Sequence, residues 1–350
     1  MEISIGDYAL DNTSIPAYIT RMSSKRNPTP SGKNLTGDLT LVQIAQRFAT
    51  EESAREYFEN LRWPDGPVCP HCGNADQGRI YKVTPNPEKK IRAGLYKCAD
   101  CLQGFTATVG TVCEDSHIPL NKWLIGFYMM CASKTQVSAL QLQRQLEIGS
   151  YRSALFMCQR IRFALMDIEH GDKLNGTVEA DETYIGGVKR GMGRRYVGNK
   201  TAVVSMIERG GDVRSHVVNK VTGAMLGRLL KQHVAESAHL NTDESPLYKK
   251  TGKMFKSHDT VNHSREEYVR RDQSGRLATT NTAEGFFGNS KRSLDGTHHH
   301  VSRKYLPFYL AELDYKYNTR KLTDGARTAT AIPKIVGKRL MLRRPKSAAN

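Results

Sequence analysis

Val178-Glu179-Ala180-Asp181-Glu182-Thr183-Tyr184 decides how this 350-residue chain is read. The run Thr177–Asp181 is β-like, and on a strand successive side chains point to opposite faces. Val178 and Ala180 then share one face, while Glu179 and Asp181 share the other. Clustered carboxylates at a strand end repel one another, which raises their pKa values. A divalent cation reverses that effect. The acidic face therefore predicts a metal.

The surrounding pattern predicts a sheet to carry it. Thr201–Glu208 and Val213–Val218 read as strands, joined by the hairpin signal Arg209-Gly210-Gly211-Asp212. Gly223–Ala238 reads as a helix with Met225, Leu226, Leu229, Leu230 and Val234 on one stripe. His239–Asp243 is a short strand and Met254–Val261 a further candidate, followed by closing helices over Ala283–Leu294 and Lys304–Tyr317. This order, β-β-β-α-β-(β)-α-α, suits a mixed sheet with helices packed on it.

Asp243 ends its short strand 62 positions after Asp181, Glu284 opens a helix 41 positions later, and Lys291 follows two helical turns on, on the same face. Three carboxylates and a lysine from separate elements are expected to converge at one sheet edge. Such an oxygen-donor set suits two Mg²⁺ or Mn²⁺ ions, and the chemistry they serve is in-line phosphoryl transfer. Singly, each residue has a plainer reading: Asp243 in a turn, Glu284 as a helix-dipole acid, Lys291 as a solvated side chain.

Between Trp63 and Cys113, Cys69-Pro-His-Cys72-Gly73 and Cys98-Ala-Asp-Cys101 are separated by 25 residues. Four thiolates in two knuckles are the ligand set of one structural Zn²⁺ ion. Gly73 suits a tight turn needing positive φ, and Tyr81, Tyr96 and Phe105 are expected to pack around the site. His71 is read as solvent-facing; Cys113, Cys131 and Cys158 are read as small core residues. Two Cys-x-x-Cys pairs and an odd count of seven cysteines exclude a secreted disulfide framework and point to a reducing cytosol.

Ser138–Leu165 fits two helices joined by a turn containing Gly149, with Leu140, Leu142 and Leu146 packed against Ala154, Leu155, Cys158 and Ile161. Arg152, Arg160 and Arg162 are then expected to remain available to a DNA groove, as in a helix-turn-helix; an ordinary helical hairpin is the other reading. The charge agrees with a polyanion partner: 52 Lys and Arg against 35 Asp and Glu give a net +17. The longest apolar run, Trp123–Ala132, is too short to span a bilayer, and MEISIGDYAL has no secretory pattern. The expected plan is an α+β or α/β multidomain chain. It comprises a weakly ordered leader (1–38), a short helical segment (39–62), a zinc ribbon (63–115), a helical DNA-binding region (116–170), the mixed-sheet domain (175–322) and a basic tail (323–350).

RWPDGPVCPHCG (Arg62–Gly73), YKCADC (Tyr96–Cys101), VEADETYIGG (Val178–Gly187), NTAEGFFGNSKR (Asn281–Arg292), GTHHHVS (Gly296–Ser302) and YKYNTR (Tyr315–Arg320) occur in this order. Together they resemble bacterial insertion-sequence transposases, in the subgroup that joins an N-terminal zinc ribbon to a ribonuclease-H-like DDE catalytic domain. The resemblance runs from about Leu41 to Arg320. It implies a βββαβα core with Asp181, Asp243 and Glu284 as the catalytic metal-binding acids and Lys291 beside them. Phe286-Phe287 stands where the family often has Phe-Trp. Asn281 and His298, His299 and His300 match family positions, and Arg292 and the three histidines are read as DNA-facing. His258 and His263 are a further pair expected near the site. The implied partner is double-stranded DNA, both the element's terminal repeats and the target, bound by a homodimer or larger assembly in the bacterial cytosol. The alternatives are a zinc-ribbon transcription regulator without catalysis and a ribonuclease-H-like nuclease without strand transfer.

Overall fold

The structure, a computed structural model, describes residues 9–10, 40–167, 171–187, 200–261, 269–271 and 275–341. Apart from Ala9–Leu10, the expected leader lies outside the described residues, as does His263. The chain divides into two units: residues 1–166 with 322–350, and residues 167–321.

The first unit opens with helices α1 (Leu41–Arg47) and α2 (Glu51–Arg62), started by Thr40 and Thr50, whose side chains accept the otherwise unpaired amides of Gln43 and Ser53. Strands β1 (Ile80–Lys82), β2 (Tyr96–Cys98) and β3 (Gly104–Phe105) form the antiparallel ribbon. Trp63 meets both Tyr96 and Phe105 edge-on, with centroids 5.5 and 5.8 Å away, so aromatic packing replaces the larger core a short ribbon lacks. Tyr81 does not join them; it is exposed, because it alternates with buried Ile80.

Helices α3 (Leu120–Ala132), α4 (Ala139–Gln145) and α5 (Tyr151–Leu165) follow, the last two capped by Ser138 and Ser150. A Cβ at Gly126 would come within 2.4 Å of the Met157 side chain, so α3 and α5 approach closely there. In the α4–α5 connection, Glu147, rather than Gly149, adopts a left-handed φ, +47°. Leu142 and Leu146 are buried as expected, but Leu140 is 44% exposed. Cys113, Cys131 and Cys158 are buried.

The expected basic tail is a correction. Asp324–Ala331 is helical, Thr323 caps it, and Ile332 and Ile335 are buried. Val336 bridges to Thr111, Lys338 donates to the carbonyls of Ala164 and Met166, and Leu340–Met341 pairs with Ala9–Leu10. The apolar residues among the charges, Ala329, Ile332, Ile335 and Leu340, drive this return to the first unit.

In the second unit, strands β4 (Thr177–Ile185), β5 (Thr201–Glu208), β6 (Val213–Val218), β7 (His239–Asp243) and β8 (Ser257–Val261) form one sheet in the order β6-β5-β4-β7-β8. The three consecutive strands are antiparallel; β7 and β8 run parallel to β4. This mixed sheet has the ribonuclease-H-like arrangement. Strand β5 is buried along nearly its whole length and serves two cores. On one face Val178, Ala180, Val204 and Leu240 pack with Leu226 and Leu230 of α6 (Gly223–His233). On the other, Val203 and Ile207 pack with Ala283, Phe286, Phe287 and Leu294 of α7 (Asn281–His298) and Leu310 and Leu313 of α8 (Leu306–Asn318). Helix α7 runs one turn past the expected Leu294, ending where His299 takes φ +56°.

Candidate active site

Parallel register assembles the site. Thr177 faces His239, Val178 faces Leu240, and Glu179 faces Asn241. The same 62-residue offset sets Asp181 beside Asp243. The hydrogen-bonded pairing of β4 with β7 ends at Glu179, before those two residues. Alternation puts Asp181 on the face of Glu179, and Asp243 on the face of Asn241. One oxygen of each is fixed locally: Asp181 Oδ1 accepts from the Glu182 amide at 2.7 Å, and Asp243 Oδ1 accepts from the Ser245 amide at 3.1 Å.

Asp181, Glu182 and Asp243 each offer a carboxylate oxygen within 4.8 Å of the others. Glu182 is the member that the strand pattern alone did not single out, because alternation assigns it to the opposite face from Asp181. Burial, followed by the charge of Asp243, pushes its carboxyl up to about 7. Tyr248, in the short turn Pro246–Tyr248, is fully buried beside it, and its hydroxyl makes no hydrogen bond of ordinary geometry. Three crowded oxygen donors of this kind fit a hard divalent ion.

Glu284 stands apart from this group. It is exposed on the first turn of α7, where the Thr280 hydroxyl reaches its Oε1 at 3.4 Å. Helix α7 is nevertheless tied to the acidic strand. The fully buried Glu179 accepts at Oε2 from the amides of Thr282 and Ala283, at 2.8 and 3.1 Å, and at Oε1 from the Thr282 hydroxyl and Arg209 Nε. Arg209 also donates to the carbonyls of Leu277 and Thr279, and Asn241 Nδ2 reaches the same two carbonyls. Glu179 thus caps the helix that carries Glu284 from two residues before Asp181. Lys291, further along α7, is half-buried; burial and Lys200 lower its pKa, and the Asp181 carboxylate opposes them.

His258 lies on β8, its Nε2 2.9 Å from the Thr242 hydroxyl, next to Asp243 in the chain. Burial lowers its pKa. His298 meets the Tyr309 ring edge-on at 4.8 Å, while His299, His300 and Arg292 are exposed.

In the first unit all four cysteine sulfurs fall within 4.8 Å of one another, Cys69 to Cys101 at 3.6 Å and Cys72 to Cys98 at 3.7 Å. Gly73 has the positive φ its knuckle needs, +78°, and His71 is exposed. The Cys101 amide leads in drawing the Cys98 thiol down to about 6. A four-thiolate cluster on a three-stranded ribbon fits structural zinc.

The arginines of α5 require a correction. Arg162 is buried and donates to the Val137 carbonyl at 3.3 Å. Arg160 is buried too, reaching the Leu340 carbonyl and stacking 4.3 Å from the Phe156 ring centroid. Both serve packing and backbone satisfaction; only Arg152 of the three is exposed.

Comparison with known proteins gives two family matches. Residues 173–318 match the ISXO2-like transposase domain, and residues 49–103 match the transposase zinc-ribbon domain. A relative described as an uncharacterized protein in transposable element ISH50, from Halobacterium salinarum, is 29% identical over 288 residues, covering 75% of this chain and 89% of the relative. No helix among the described residues is long and apolar enough to cross a membrane.

Proposed function

Because the chain belongs to the insertion-sequence transposases that carry a zinc ribbon, we propose that it cleaves phosphodiester bonds at the ends of its own element and joins the freed 3′-hydroxyls to target DNA. The observation that carries this reading is the convergence of Asp181 and Asp243, with carboxylate oxygens within 4.8 Å, where the pairing of β4 with β7 ends. Two Mg²⁺ or Mn²⁺ ions supply activation of the attacking water or 3′-hydroxyl and charge stabilisation at the departing oxygen.

The residues divide the work. Asp181 and Asp243 hold the metals from rigid strands, and Glu284 approaches from the first turn of α7. Lys291, in the electrostatic reach of Asp181, orients a phosphate beside the scissile bond. Glu179 and Arg209 act through α7, fixing the helix start to the acidic strand. The ribbon and the α4–α5 pair bind the terminal repeats, with Arg152 on phosphate; Arg292, His299 and His300 line the catalytic face, with His298 beside them. The net charge of +17 supports such contacts and makes binding fall steeply with salt. Joining two ends requires at least a dimer, acting in the cytosol.

Incubating the protein with element-end DNA and Mg²⁺ tests the reading. Asp181→Ala is expected to abolish cleavage while leaving the gel-shift of end DNA intact; cleavage at the wild-type rate refutes the assignment. A target plasmid supplied with paired ends separates strand transfer from simple nuclease action.

A further inference from the structure

We propose that Glu182 is a third carboxylate ligand of the divalent-metal site formed by Asp181 and Asp243, and that the Tyr248 hydroxyl holds it in the ligating orientation. The inference rests on the transposase reading above and adds a ligand outside the Asp181–Asp243–Glu284 set. Its first support is position: a Glu182 oxygen lies within 4.8 Å of oxygens from both aspartates, whereas Glu284 is not in that group. Strand alternation sends Glu182 to the face opposite Asp181. The two carboxylates meet because β4 continues to Ile185, beyond the last residue paired with β7.

The second support is Tyr248. Its side chain is wholly buried against the α6 face of the sheet, yet its hydroxyl has no hydrogen-bond partner of ordinary geometry. Buried hydroxyls without a well-formed hydrogen bond are rare, so such a group calls for a role. It lies beside the Glu182 carboxylate, within the field of Asp181 and Asp243. An ionised Glu182 accepts from this hydroxyl with one oxygen and offers the other to a cation, the arrangement by which outer partners orient metal-binding carboxylates. The backbone amides of Glu182 and Ser245 restrain Asp181 and Asp243 in the same manner. A divalent cation would offset the mutual repulsion of all three carboxylates.

Mn²⁺ titration of the full-length, zinc-loaded protein tests this without DNA or turnover, with free Mn²⁺ followed by electron paramagnetic resonance. Glu182→Gln, close in size to the native residue, is expected to weaken Mn²⁺ binding at least tenfold, and Tyr248→Phe several-fold. Neither should broaden or lower the thermal transition measured with zinc bound and no Mn²⁺ added. Wild-type affinity in Glu182→Gln overturns the ligand assignment; wild-type affinity in Tyr248→Phe overturns the positioning role. Should Glu182→Gln fail to fold, Tyr248→Phe carries the same prediction, with Glu182→Asp expected to fall between wild type and Tyr248→Phe. Asp181→Asn separates the two readings. If it loses Mn²⁺ while Glu182→Gln keeps it, only the Glu182 assignment falls. If both retain wild-type affinity, the metal site proposed for the transposase falls as well.

Discussion

Among the described residues stand two clusters of would-be anions, and they are built in opposite ways. Cys69, Cys72, Cys98 and Cys101 come from two knuckles on a ribbon of short strands, whose interior is little more than Trp63, Tyr96 and Phe105. Asp181, Glu182 and Asp243 come from strands 62 residues apart in sequence, supported on two hydrophobic cores. On the proposed reading, the contrast teaches that the ribbon needs its metal to fold, whereas the carboxylate site is erected by its sheet and would need a metal only to act.

The largest effect that could break this contrast is metal removal. Cys98→Ser, or a strong zinc chelator, should unfold the ribbon, since structural zinc contributes about 10–16 kcal/mol to such modules. Limited proteolysis should then cut within residues 63–105 while residues 200–261 stay protected; equal protection of both regions would dissolve the distinction. Asp243→Asn should do the reverse, lowering cleavage about a thousandfold or more, ~4 kcal/mol in barrier, with no loss of thermal stability in chelator. A lowered melting temperature would mean that the acids also hold the fold together.

Glu179→Ala should show where the scaffold ends and the site begins. It strips the α7 cap and leaves Arg209 without its buried partner, for a loss of about 3 kcal/mol by denaturant titration. Glu179→Gln, which keeps an acceptor for the Thr282 and Ala283 amides, should recover part of that loss.

Acid should divide the two regions in a smaller way. Asp314, partly buried on α8 and hydrogen-bonded to the Ser215 amide and hydroxyl, has its carboxyl pushed up to about 7 by desolvation. The folded state therefore binds its proton more tightly than the unfolded state does. Its contribution is greatest below the unfolded carboxylate range near 4 and is lost as pH rises through 7. Melts in chelator should thus gain on the order of 1 kcal/mol from Asp314 between pH 7.5 and 5.5, a slope that Asp314→Asn reduces and that the Glu182 carboxyl, also raised to about 7, shares. Cysteine-bound zinc responds oppositely, because protons compete for thiolates. The smallest effect is expected from Arg152→Ala: a few-fold weaker grip on end DNA and a shallower salt dependence, with the melting temperature unchanged.

How legible each region was follows from the same contrast. Cysteine spacing and Gly73 are local, so the ribbon was readable in the sequence, although Tyr81 turned outward. The order of elements along the chain was readable from strand alternation and the Gly210-Gly211 hairpin. Asp181 and Asp243 could be named because each ends or interrupts an apolar run. Glu182 could not, since its convergence depends on where the pairing of β4 with β7 stops, and no sequence pattern marks Tyr248. Glu179 read as one more acid of the cluster, yet four donors make it a helix cap. Arg160 and Arg162 misled because a +17 chain makes every arginine look like a phosphate ligand, while their burial depends on Val137 and Leu340, neither adjacent in sequence.

The return of residues 322–341 to the first unit makes the sheet unit an insertion in the chain. A ribosome releases the ribbon and helices α3–α5 long before Ile332, Ile335 and Leu340, the residues that finish packing them. The half begun first is therefore completed last, after the entire sheet has emerged. A nascent or truncated chain would carry an assembled carboxylate edge while its zinc-bearing half still stood open.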